Sequence, residues 1–120
     1  MKFSKFLSIC AGVFLLATSA AAQGEPSTVT ALEFQTPKNG MVQQYEAGRK
    51  KKAAWHKQQK DPQMLFVLQV LTGEHTGSYV VGRDGMHWAD LDKPPVSDAA
   101  DEEEYNKVVT PYVESRTASY

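Results

Sequence analysis

An α+β fold, one antiparallel sheet with two helices on a single face, is what this sequence predicts, and three observations predict it. The stretch from Met64 to Arg83 reads as a hairpin, two arms around the turn Gly73-Glu74-His75-Thr76-Gly77. A period-two alternation precedes it at Thr28 to Gln35, and segments of helical period flank it at Asn39 to Lys60 and from Ser97 or Asp98 to Thr110. The order is strand, helix, strand, strand, helix and a short closing strand, the ferredoxin-like βαββαβ pattern.

The first residues of the 120-residue chain stand apart from this pattern. Met-Lys-Phe-Ser-Lys-Phe is basic, Leu7 to Leu16 is largely apolar, and Ala20-Ala21-Ala22 supplies small residues before Gln23. That is the plan of a secretory signal peptide, residues 1–22, with cleavage expected after Ala22 and a secreted or periplasmic product. The apolar run is too short to anchor a membrane span, so no transmembrane segment is expected in the mature chain. Ile9 stands where a lipoprotein signal needs a small residue before Cys10. With Cys10 removed no cysteine remains, which excludes disulfides, thiol catalysis and thiolate metal ligands. The formal charge moves from −1 to −3 with the loss of Lys2 and Lys5, and nothing in that balance predicts nucleic-acid binding.

Residues 23–27 form a polar lead-in expected to be mobile, and residues 28–120 are one domain. In the first strand Thr30, Leu32 and Phe34 share one face and Val29, Ala31, Glu33 and Gln35 the other, with Thr36-Pro37 as its end. Asn39 is the expected cap of the first helix, which Asp61-Pro62 stops near Lys60. At 100° per residue Met41, Tyr45, Gly48 and Trp55 fall on one face, with Lys52 and His56 on the same arc. The basic run Arg49 to Lys52, with Lys57 and Lys60, reads as a solvated face matched to the helix dipole.

Met64 to Thr72 is apolar on both alternating sets, Phe66, Leu68 and Val70 against Leu65, Val67 and Leu71, so the strand is expected to be buried on both faces. Beyond Asp84-Gly85 the segment Met86 to Val96 reads as a loop, since Pro94 and Pro95 exclude a regular helix at their own positions. Acidic Asp101 to Glu104 suits the start of the second helix, and Tyr105, Val108, Val109 and Tyr112 form its inner stripe until Thr110-Pro111. Val113 to Tyr120 is the closing strand, expected to be cut short. Two helices cover one side of this sheet; the other side needs a partner.

The first-strand ending Thr36-Pro37-Lys38-Asn39-Gly40, the helix through Ala53-Ala54-Trp55, the hairpin Thr76-Gly77-Ser78-Tyr79-Val80-Val81 and the loop Trp88-Ala89-Asp90-Leu91-Asp92 resemble the dimeric α+β barrel superfamily, which holds antibiotic-biosynthesis-monooxygenase-like and NIPSNAP-like domains. The likeness is to an uncharacterised secreted bacterial branch of that group. It implies two ferredoxin-like units, a homodimer or a tandem second copy, that join sheets into a barrel with the helices outside. It also implies a small organic ligand. The haem-degrading members use a histidine in the second helix, and Asp98 to Thr110 has none, so no cofactor is expected.

Candidate residues follow from polar side chains near the expected interior. With Leu32 and Phe34 toward the helices, Glu33 points into the barrel, where a buried carboxylate serves as a base; Gln69 breaks an apolar strand, and Glu33, Gln69 and Tyr79 form the ligand-binding candidates. His56 joins Glu33 and Tyr79 as a catalytic candidate, against the plainer expectation of a histidine at the core margin with its tip in water. His87, Asp90 and Asp92 offer metal-ligand types, but their spacing fits no metal motif and a loop plugged by Trp88 and Leu91 explains them. The leading expectation is an exported, self-pairing domain that binds a small apolar or aromatic ligand. A cofactor-independent monooxygenase-like or isomerase-like enzyme, and a structural half-barrel of a longer protein, are the alternatives.

Overall fold

The computed structural model describes residues 29–119, so the expected signal peptide and lead-in lie outside the described residues. The chain runs β1 (Val29–Pro37), α1 (Val42–Gln58), β2 (Met64–Gln69), β3 (Tyr79–Met86), α2 (Ala89–Asp92), α3 (Asp98–Val108) and β4 (Val113–Ser119), with a 3-10 turn at Thr110–Tyr112 before β4. The four strands form one sheet in the order β2-β3-β1-β4, and each neighbouring pair is antiparallel. This is the ferredoxin-like α+β arrangement. β4 is seven residues long and pairs with β1 from Pro37 to Leu32.

The first helix begins later than Asn39 predicts. Met41 occupies the cap position without a side-chain hydrogen bond, because Lys38 to Gly40 is spent on a turn closed by Met41 N–H donating to the Lys38 carbonyl at 3.0 Å. α3 is capped by Ser97, whose hydroxyl accepts from Ala100 N–H at 3.5 Å, and Pro111 in the following 3-10 turn prevents its continuation. The loop after β3 holds one helical turn, α2, set before Pro94-Pro95; the Asp90 carboxylate secures it by accepting His87 N–H at 2.7 Å. The hairpin loop is wider than its turn residues suggest. Val70 N–H donates to the Ser78 carbonyl and Gly77 N–H to the Val70 carbonyl, and the loop inside turns on Gly73 and Gly77, both in the left-handed region.

Side-chain direction in the sheet is the reverse of the expectation for β1. Gln35 faces α1, where its Oε1 accepts the Tyr45 hydroxyl at 2.8 Å, so Glu33 also faces the helices and Leu32 and Phe34 face away. The pairings Phe34↔Val80↔Leu68 and Leu32↔Gly82↔Phe66 carry that face across three strands, and the Phe66 ring lies over Gly82, where a Cβ would overlap it. The expectation that Met64 to Thr72 is buried on both faces is also corrected. β2 is an edge strand, with Leu68 58% and Met64 66% exposed, because the helices do not reach the sheet's outer edge and none of the described residues covers its other face.

Between helices and sheet the core is phenolic rather than aliphatic: Tyr45, Tyr79, Tyr105 and Val109, flanked by Val108, Tyr112 and Val113. The rings of Tyr45 and Tyr79 meet at 4.8 Å between centroids, tilted by 50°. Such a core needs hydrogen bonds as well as contact. Tyr79 donates to Glu46 at 2.6 Å, and burial together with that carboxylate pushes its phenol up to about 12.

Candidate functional site

The site starts with the inner stripe of α1. Tyr45, Gly48, Lys52 and His56 recur at helical spacing and are all buried. Two of them carry polar heads, so the elements opposite must supply partners. α3 answers with Asp101 and Tyr105 one turn apart, and the sheet below with Glu33, Gln35 and Arg83. Gly48 makes the approach of the helices possible, because its Cα passes so close to Val108 that a Cβ would lie 2.1 Å from that residue's carbonyl oxygen.

Beside this crossing a cleft of about 490 Å³ opens between the helical layer and the sheet. Its apolar wall includes Leu65, Val81, Met86 and Leu91; its polar wall includes Glu33, Arg49, His56, Gln63, Asp101 and Tyr105. Asp101 is the hub. Lys52 donates to its Oδ1 and, at 2.9 Å, to its backbone carbonyl; Arg83 donates to Oδ2 at 2.8 Å; His56 Nε2 lies 3.0 Å from Oδ1. Burial by itself would raise the acid's pKa, but the hydrogen bonds from His56, Lys52 and Arg83 overcome it and hold the carboxyl well below the usual range.

His56 is gripped on both sides. Its Nδ1 is 2.8 Å from Asp61 Oδ2, and the other oxygen of Asp61 accepts Gln63 N–H at 2.9 Å, so Asp61-Pro62 at once orients the imidazole and aims Gln63 at the cleft. At the other end Glu33 Oε2 lies 3.3 Å from Arg116, while its Oε1 accepts the Gln35 amide. The Arg116 guanidinium in turn stacks on Tyr105 at 4.4 Å from the ring centre.

Three groups on the cleft wall are buried yet have no hydrogen-bond partner among the described residues: Arg49 Nε, both polar atoms of the Gln63 amide, and the Tyr105 hydroxyl. Gln63 is 7% and Tyr105 6% exposed. Burial lowers the Arg49 pKa and raises that of Tyr105.

Of the residues singled out in the sequence, the structure brings Glu33 and His56 to one cleft, on the helix side of the sheet and not on the open side. Tyr79 is close by but outside the lining, engaged with Tyr45 and Glu46. Gln69, its register partner, is exposed at the end of β2. His87 and Asp90 are linked by the backbone hydrogen bond that holds α2, and among the described residues no three His, Cys, Asp or Glu side chains converge as a metal site. The solvated reading of the basic run fails for Lys52, as the wetted-tip reading fails for His56, because α3 covers both and meets them with Asp101. Arg49, Gln63, Arg83, Asp101 and Tyr105 were not foreseen. The signal for the first was its place one turn from both Tyr45 and Lys52; for Asp101 and Tyr105 it was their i, i+4 spacing on one face.

The chain has the ferredoxin-like α+β arrangement, four antiparallel strands with the helices on one face. A solved structure it resembles is that of a Bordetella bronchiseptica protein provisionally named an antibiotic biosynthesis monooxygenase, at a TM-score of 0.55 and 14% identity over 78% of this chain and 97% of that one. At that identity the likeness is one of fold. No family model and no curated protein sequence matches the chain.

Proposed function

We propose that this chain is an exported small-molecule-binding domain that takes an organic ligand of aromatic size into the cleft between its helices and sheet, and that pairs with a second copy through the open face of the sheet. The observation that carries the reading is the set of unpartnered buried groups, Arg49 Nε, the Gln63 amide and the Tyr105 hydroxyl, around one cavity. Each unsatisfied group costs about 1–3 kcal/mol, and three on one wall are a standing cost that a ligand relieves. Export rests on the basic, apolar and small-residue plan of residues 1–22; among the described residues no helix is long and apolar enough to cross a membrane.

Thermal unfolding with a panel of one- to three-ring aromatic compounds tests the ligand. A binder at tenfold excess over its Kd raises Tm by about 5–10 °C. Gln63→Met raises the Tm of the unliganded protein, since an orphaned amide is removed, and weakens that binder. A panel without a single shift, together with an unchanged Tm in Gln63→Met, removes the proposal.

Pairing is supported by the row Leu32, Phe34, Phe66, Leu68 and Val80 on the face that no helix among the described residues covers. Sedimentation of residues 23–120 is expected to give twice the chain mass, and Leu68→Glu to give the single mass. A monomer for the unaltered chain overturns self-pairing and leaves the cleft untouched.

The second reading is a cofactor-independent monooxygenase-like reaction, favoured by the name of the Bordetella protein and by His56, which lines the cleft and is paired with Asp61. Under it both candidates must first release a partner, Glu33 from Arg116 or Gln35 and His56 from Asp61 or Asp101. Oxygen uptake in the presence of the panel's binder separates turnover from binding alone.

A further inference from the structure

We infer that the ligand is an organic carboxylate on an apolar ring system, its carboxyl group seated on Arg49 and Tyr105. The inference rests on the small-molecule reading of the cleft and adds the chemistry of what enters it.

Every lysine and arginine on the cleft wall but one has an ion pair among the described residues. Lys52 and Arg83 share Asp101, and Arg116 lies between Glu33 and Glu102, at 3.3 and 3.2 Å. Asp90 and Asp98 stand in the first turns of α2 and α3, where a helix start favours negative charge. Arg49 has no ion pair among the described residues, although its neighbours Tyr45, Tyr105, Glu33 and Asp101 all act on it through space. A guanidinium whose Nε is free offers the side-on fork of two N–H donors that a carboxylate fits with two oxygens. The Tyr105 hydroxyl, 6% exposed and likewise without a partner, is a third donor at that end. A change of rotamer on ligand entry turns both groups from the wall to the guest.

The rest of the cleft suits the rest of such a molecule. His56 lies two turns beyond Arg49 on α1, about 10 Å along the axis at 1.5 Å per residue, and Asp61, which holds the His56 ring, also holds the backbone N–H of Gln63 at that far end of the cleft. Leu65, Val81 and Met86 supply apolar wall to the same cleft. Two or three fused rings span that distance, and a neutral polar group at the far end meets the amide.

The test compares 2-naphthoate with its neutral near-isostere 2-naphthamide by calorimetry on the mature chain. The carboxylate is expected to bind at least tenfold more tightly. Arg49→Gln weakens it by about 10- to 100-fold, while 2-naphthamide stays within about twofold and the far-ultraviolet dichroism is unchanged. Tyr105→Phe, which removes an orphaned hydroxyl and so retains the fold, weakens the carboxylate about fivefold or more. Equal binding of the two probes overturns the carboxylate and leaves the small-molecule reading intact. Failure of both at millimolar concentration, with no binder in the thermal panel, overturns the two together.

Discussion

Asp101→Asn lowers the folding stability by about 3–5 kcal/mol at neutral pH, the largest effect expected of any single polar substitution here. The change removes the counter-charge of Lys52, whose side chain is 4% exposed, and leaves an ammonium buried against Trp55, whose ring centre is 4.2 Å away, and a backbone carbonyl. His56 keeps Asp61, and Arg83, 28% exposed, turns to water, so the loss falls chiefly on Lys52. Adding Lys52→Met to Asp101→Asn therefore recovers much of the stability, a result that a general disruption of α3 does not give.

The same carboxylate sets the acid limb. Its folded pKa lies below the unfolded value near 4, so its contribution is complete above about pH 4 and is lost as pH falls through the folded pKa. Urea titrations of the two proteins should diverge most at neutral pH and converge below about pH 4. A gap that persists unchanged at pH 2 would show that the carboxylate's charge is not what holds the helix.

Gly48→Ala is expected to cost about 3 kcal/mol even though alanine is the better helix former by about 1 kcal/mol. The added methyl group would lie 2.1 Å from the Val108 carbonyl oxygen, and backbone cannot rotate aside as a side chain does. α1 and α3 must separate, which unseats Lys52 from Asp101 as well. The two losses are coupled, so Gly48→Ala and Asp101→Asn together should cost less than their sum in urea unfolding. A variant as stable as the parent would mean that the helices have room to part freely.

Periodicity made the elements legible. The alternation of residues 28–35 and the caps and breakers at Ser97, Pro62 and Pro111 locate strands and helices to within a few residues, because those signals are local. Direction in the sheet was less so: Leu32 and Phe34 are more apolar than Glu33 and Gln35, and hydrophobicity alone sends them to the helices. The structure does the opposite since Tyr45 and Arg116 satisfy the polar pair while a wide apolar face is left open. The site was half visible for a similar reason. His56 and Glu33 draw notice as residue types, whereas Asp101 in a run of four acids looks like any other helix start until its distance to Lys52 and Arg83 is known.

The phenolic core bears on how the protein responds to temperature. Unfolding raises heat capacity through apolar surface and lowers it through polar surface, at roughly +0.45 and −0.26 cal/K/mol per Å². A helical layer held to its sheet by three tyrosines, a buried lysine and a carboxylate hub releases more polar area than an aliphatic core does. Its stability curve is therefore broad and shallow: the domain loses little on cooling, and warmth weakens it gradually across a wide span.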